Sequence, residues 1–297
     1  SYWNSSNVFN EYLYKHIQLN YPQDIFNYTY TYDISETQRA QILRKLGTLN
    51  PDSTMCLINS AGTNSILNAV NFLKLYNFKK IAILMPSYFS VEKSCQLFGL
   101  VYENVMLQYC DGKYYIPYEY LSKNNFDVIW LTSPPYSSGI PFEDSQVAIL
   151  KKLISKEILV IADETLALPH QMLLTKIPIS DFFFCICSPH KPLFMNKLKF
   201  SAFVCPKKNE DFLEQWIDVL NGSLLSSNIV AIHHFLSDNY NECVRATQNW
   251  YSYSIHSIRT ILQLFPNAQC NLDEIAPYKT IYINNPTNDM QSLKYIS

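Results

Sequence analysis

The chain has 297 residues, 48% of them hydrophobic, with a formal net charge of −2 and a pI near 6.3. It is long enough for one large domain plus a smaller one, each with a core. Its charge gives no general attraction to nucleic-acid backbones or anionic membranes, so neither is an expected partner. No apolar run approaches the roughly twenty residues needed to span a bilayer, and Ser1-Tyr2-Trp3-Asn4 lacks a basic start followed by an apolar core. A cytoplasmic, reduced protein is the expectation.

Residues 1–50 are polar and tyrosine-rich, with one helical segment near 36–46. A helix is expected at about 64–77, where Ile66, Leu67, Val70 and Leu73 recur at three- and four-residue steps and Ala61-Gly62-Thr63-Asn64 brings polar capping groups before them. Its start is a natural anion site. From residue 80 short apolar runs alternate with amphipathic stretches: strands at about 80–85, 127–132, 157–162, 181–187 and 199–205, and helices at about 91–98, 143–155 and 209–220. Residues 225–264 read as a long, mostly helical connection. Thr280-Ile281-Tyr282-Ile283 is a strand candidate, broken by Asn284-Asn285-Pro286.

This pattern predicts an α/β fold with a mostly parallel central sheet and helices on both faces, plus a reduced or truncated small C-terminal domain. The expected division is an N-terminal segment (1–50), a large domain (51–225), and a connecting helix with a partial small domain (226–297). Cys56, Cys95, Cys185, Cys187 and Cys205 sit inside apolar runs and read as small buried hydrophobes rather than as a disulfide framework. Cys185, Cys187 and His190 lack a second ligand pair at zinc spacing, so no metal is expected. The six glycines give each one positional weight; Gly62 and Gly139 fall in loops after apolar runs.

In open parallel sheets ligands bind beyond the carboxyl ends of the strands, and the chemistry-bearing residues of this chain gather there. Ile158-Leu159-Val160-Ile161-Ala162 leads to Asp163-Glu164. Phe184-Cys185-Ile186-Cys187 leads to Ser188-Pro189-His190-Lys191. A lysine just past a buried strand is partly desolvated and rigidly held, as Schiff-base chemistry needs. Pro86-Ser87-Tyr88 follows one strand and Ser133-Pro134-Pro135-Tyr136 another. Glu164 reads as a supporting or solvated acid and His170 as a loop residue. No Gly-x-Gly-x-x-Gly follows any strand, which sets a nicotinamide site aside.

Taken in order, these residues resemble the pyridoxal-phosphate enzymes of the aspartate aminotransferase fold, fold type I, over roughly residues 55–206. The resemblance implies pyridoxal 5'-phosphate as cofactor, with Lys191 as its Schiff-base lysine and Asp163 as partner of the pyridine nitrogen. It also implies Tyr88 stacking on the ring, and Gly62, Thr63 and Ser188 at the phosphate. Lys199 stands where the family usually has an arginine to that phosphate; it keeps the charge and loses the bidentate fork. Tyr136 stands where an asparagine usually meets the cofactor's 3-oxygen, and Leu166 where a tyrosine does, so one donor is lost and Tyr136 is the candidate replacement. The family's substrate-carboxylate arginine has no counterpart before Ser297.

The implied activity is an aminotransferase acting on a small-molecule amino-group donor and a keto-acid acceptor. The alternatives are a lyase, decarboxylase or racemase on the same cofactor, and a degenerate, non-catalytic relative. A homodimer is implied, with Tyr30 and Tyr32 as candidates to reach the partner's phosphate.

Overall fold

A computed structural model of the chain describes residues 34–110, 112–136, 138–193, 195, 198–265, 267–270, 272 and 281–283. In chain order its strands are β1 (Thr54–Asn59), β2 (Lys80–Met85), β3 (Val101–Met106), β4 (Gln108–Cys110), β5 (Lys113–Tyr115), β6 (Val128–Thr132), β7 (Leu159–Glu164), β8 (Phe183–Cys187), β9 (Ser201–Pro206), β10 (Ala268–Gln269) and β11 (Tyr282–Ile283). The helices are α1 (Glu36–Lys45), α2 (Gly62–Leu75), α3 (Phe89–Leu97), α4 (Tyr118–Lys123), α5 (Asp144–Ile154), α6 (Glu210–Asn221), α7 (Ser226–Leu236) and α8 (Asn239–Leu264).

Among the described residues a seven-stranded sheet has the order β1-β9-β8-β7-β6-β2-β3. Strand β9 runs antiparallel to β1 and β8; the other neighbours are parallel. Helices pack on both faces because the central strands are apolar on both. Along β2, Ile81 and Ile83 enter one cluster with Ile66, Val70 and Leu73 of α2, while Ala82 and Leu84 enter the other with Ile42 and Leu43 of α1. Such alternation is the two-residue period of a strand, and each fully buried aliphatic side chain contributes about 1.5–3 kcal/mol.

The expected elements are present with shifted ends. The run expected at 157–162 starts at Leu159 and extends through Glu164, so Asp163 lies inside the strand rather than past it. The helical stretch 225–264 is two helices, because Ser237 takes an extended backbone (ψ 167°) between α7 and α8. The sheet elements not anticipated are β1, the edge strand β3, the β4–β5 hairpin and β10. Of the expected 280–283 strand, Tyr282 and Ile283 pair with β10; Thr280, like Tyr30, Tyr32 and the N-terminal residues to 33, lies outside the described residues. The cysteines expected in the core are buried, and among the described residues no cluster of His, Cys, Asp or Glu could hold a metal ion. No described helix is long and apolar enough to cross a membrane.

Candidate functional site

The carboxyl ends of β1, β2, β6, β7 and β8 open onto one cleft, lined by Ile66, Tyr88, Thr132, Tyr136, Asp163, Thr165, Leu166 and Lys191 and enclosing about 330 Å³, part of it open to solvent. Each strand delivers its residue by ending there. Asp163 lies on the face of β7 shared with Leu159 and Ile161, which turns it toward α2 and the cleft. Lys191 stands one turn beyond β8, where its backbone N–H donates to the Ser188 carbonyl at 3.0 Å.

Close approach is the main fact at this site. A Cβ on Gly62 would meet Ser188 Oγ at 3.2 Å, Lys191 Nζ at 3.3 Å and Thr165 Cγ2 at 3.5 Å. Only a hydrogen fits there without displacing its neighbours. Gly62 opens α2, and the polar capping read from the sequence is not made: Ala61 is the N-cap and no side chain caps the helix. The positive end of α2 therefore faces the gap without a side-chain acceptor. Beside it, the buried hydroxyl of Ser188 has no hydrogen-bond partner among the described residues. An orphaned buried donor beside an uncapped helix start suits a ligand that carries an anion.

The charges are tuned by burial. Asp163 is 2% exposed, and desolvation raises its pKa above the ordinary 3.8. The Thr165 side chain, the Lys191 charge and the Thr165 backbone N–H, which donates to Oδ1 at 3.1 Å, oppose that rise. Burial lowers the pKa of Lys191; Asp163 pulls it back up and Lys199 pushes it further down. The amine is thus brought toward its neutral, nucleophilic form without being stranded. Lys191 Nζ lies 5.7 Å from the centroid of the Tyr88 ring, and the Tyr88 and Tyr136 rings are 5.8 Å apart, tilted by 42°. Burial raises the pKa of Tyr88, and a hydrogen bond with Thr63 opposes this.

Of the residues singled out in the sequence, Tyr88, Tyr136, Asp163 and Lys191 line the cleft, and Gly62 and Ser188 meet Lys191 at its floor. Thr63 is exposed beside Tyr88, and Lys199 is exposed outside the lining, felt at Lys191 through its charge. Leu166 lines the cleft at 8% exposure. Gly139 takes positive φ (66°) in the loop carrying Tyr136.

Glu164 is not a solvated acid. It is fully buried on the reverse face of β7, accepts from the Leu173 N–H and, at 3.2 Å, from the Leu174 N–H, and has a pKa pushed up to about 8 by burial. Thr132 and Thr165 were missed. A hydroxyl at each of two strand ends in the same sheet was the available signal.

No family model matches the chain, and no curated protein does. Solved structures do. YbdL from Escherichia coli, identified as having a methionine aminotransferase function, is 17% identical at a TM-score of 0.69, over 93% of this chain and 72% of that one. The histidinol-phosphate aminotransferase from Clostridium acetobutylicum is 17% identical at 0.67, over 91% and 79%. The C-S lyase from Staphylococcus hominis, solved with pyridoxal phosphate bound, is 16% identical at 0.67, over 90% and 69%. This chain has the aspartate aminotransferase fold. In the aspartate aminotransferase fold, as in other open α/β sheets, the carboxyl ends of the parallel strands are the face on which ligands bind, and Lys191, Asp163 and Ser188 all lie there.

Proposed function

We propose that the chain is a pyridoxal-phosphate-dependent aminotransferase that moves an amino group from a small-molecule donor to a keto-acid acceptor. One observation carries the reading: Lys191 Nζ, the orphaned Ser188 hydroxyl and the uncapped start of α2 meet at Gly62, with buried Asp163 in the same cleft. A covalent amine site, an anion site and a carboxylate for a cationic ring are what this cofactor requires.

In this reading Lys191 would hold the cofactor covalently through its aldehyde carbon, with loss of water. Asp163 would face the pyridine nitrogen, Tyr88 the ring and Tyr136 the 3-oxygen. Gly62, Thr63, Ser188 and Lys199 would hold the phosphate. Bound there, pyridoxal phosphate supplies an electron-withdrawing ring that stabilises negative charge on the donor's α-carbon. The chain's own part is to orient and to move protons. Lys191 Nζ, whose pKa burial lowers, is the group that would accept a proton from the donor's α-carbon and return one. Asp163, whose pKa burial raises while the Thr165 side chain, Lys191 and the Thr165 N–H oppose the rise, is the carboxylate placed to face a cation in the cleft.

Purified protein titrated with pyridoxal phosphate should gain a visible absorption band that Lys191→Ala removes, and an amino-acid panel should release keto acids. A colourless protein that ignores the vitamin overturns the reading. The C-S lyase among the structural neighbours favours elimination as the second reading; release of ammonia without amino transfer to a keto acid would select it. The same proposal includes a homodimer and the domain division 1–50, 51–225 and 226–297. A monomeric mass at micromolar concentration with full activity would contradict the dimer.

A further inference from the structure

Behind the cleft floor a row of buried polar side chains joins three elements. Asn59 is the last residue of β1 and stands opposite Ser201, the first of β9. The Asn59 Nδ2 donates to the Leu57 carbonyl at 3.1 Å and to Ser65 Oγ, on α2, at 2.8 Å. Ser65 Oγ donates to Ser201 Oγ at 2.8 Å, and Ser201 Oγ donates to the Cys187 carbonyl at 3.0 Å. Asn59, Ser65 and Ser201 are all 0% exposed. A hydroxyl has one hydrogen, so the chain runs in a single direction with every donor used: Asn59 to Ser65 to Ser201 to the end of β8. The Asn59 Oδ1 accepts from Asn68 Nδ2 at 2.5 Å and from Asn221, which ties α6 to the same point.

We propose that Ser201, with Ser65, is a positioning residue for the anion cradle, setting the gap between the start of α2 and the Ser188–Lys191 turn. This rests on the function proposed above. The Cys187 carbonyl belongs to the peptide plane that leads into Ser188, so the Ser201 bond fixes the base of the turn. Ser65 is three residues into α2 from Gly62, so the same hydrogen-bond chain fixes the other wall. The clearance between those walls is the 3.2 Å from a Gly62 Cβ to Ser188 Oγ, a fit that a displacement of half an ångström would spoil. None of the three side chains lines the cleft; they act through Gly62 and Ser188.

The test is a pair of absorption titrations, with pyridoxal 5'-phosphate and with phosphate-free pyridoxal, on the wild type, Ser201→Ala and Ser65→Ala. Both aldehydes can bond to Lys191, and only one carries the anion. The expected result is about a tenfold loss of affinity for the phosphorylated aldehyde in Ser201→Ala, the size of one buried hydrogen bond, with pyridoxal affinity unchanged. Ser65→Ala should lose affinity in the same selective way, and the double variant little more than Ser201→Ala, because one chain is broken once. If Ser201→Ala does not fold, Ser65→Ala alone decides. Equal losses for both aldehydes, or no loss for either, overturn the proposal and leave the function standing. A wild type that bonds neither aldehyde removes the function and this proposal together.

Discussion

Gly62 and Lys191 come from opposite walls of the cleft, and a Cβ on Gly62 would stand 3.3 Å from Lys191 Nζ and 3.2 Å from Ser188 Oγ. The glycine is needed for space rather than for its dihedral freedom, because it opens α2 and positive φ is recorded at Gly47, Gly99, Gly112, Gly139 and Gly222 instead.

Gly62→Ala should therefore separate stability from binding. Alanine gains up to about 1 kcal/mol of helix propensity over glycine, so the melting temperature of the ligand-free protein should hold or rise. The added methyl displaces Ser188 Oγ and Lys191 Nζ, and pyridoxal-phosphate affinity should fall by about tenfold or more. Thermal melts and an absorption titration on the same samples check both halves; a parallel drop in both would show that the glycine serves the fold.

Asp163→Asn should make the ligand-free protein more stable and the loaded one less active. Burial raises the Asp163 pKa above 3.8; a raised pKa contributes stability below 3.8 that is lost as pH climbs through the folded value. At neutral pH the buried carboxyl is thus a cost of folding, which asparagine removes. The gain should vanish as pH falls below about 3.8. Lys191 loses the charge that raises its pKa, so the pH profile of its reaction with pyridoxal should move to lower pH. Turnover should fall about a hundredfold or more, the size of removing a charge directed at the reacting group. Melting curves across pH and the profile of adduct formation are the measurements.

What was legible in the sequence follows from burial. Ile81-Ala82-Ile83-Leu84 and Val128-Ile129-Trp130-Leu131 are covered on both faces, so they read as unbroken apolar runs, and the residues just past such runs carried the site. Strand β3 was invisible because it is an edge strand: in Val101–Met106 only Val105 is buried, and Val101 and Met106 face solvent. Strand β1 is buried throughout, yet only six residues lie between Pro51-Asp52-Ser53 and the loop before α2, and so short a run merged with the helix that follows. The row Asn59, Ser65, Ser201 could not be read at all, since its members stand 6 and 136 residues apart and each alone is a polar residue at the edge of an apolar run.

Lys191→Ala should abolish the visible band while leaving the fold intact, because burial disfavours the lysine's charge and removing the side chain takes that cost with it. The melting temperature without ligand should not fall. Ammonium or methylamine added to the variant should restore part of the proton transfer, since a free amine can stand in for the deleted base. A band that survives in the variant would place the covalent site elsewhere.

Two buried groups the chemistry does not use, Glu164 and His190, should shape stability against pH with opposite signs. Glu164 moves from 4.5 up to about 8, mainly by burial, against the Leu173 and Leu174 N–H groups and the Cys185 thiol. Its contribution is complete below about 4.5 and is lost as pH rises to about 8. His190, whose Nδ1 lies 2.9 Å from the Phe200 carbonyl, moves from 6.5 down to about 3 by burial and by the charges of Lys191 and Lys199. Its contribution is complete above about 6.5 and is lost as pH falls to about 3. Each acts with a slope of about 1.4 kcal/mol per pH unit inside its window. Between about 4.5 and 6.5 the two cancel. Glu164→Gln should remove the Glu164 slope there, so that the stability of the variant relative to the wild type rises with pH across that range, whatever its absolute stability. Denaturant titrations at four or five pH values decide it: a wild type and variant with parallel profiles would mean that Glu164 stays ionised in the fold.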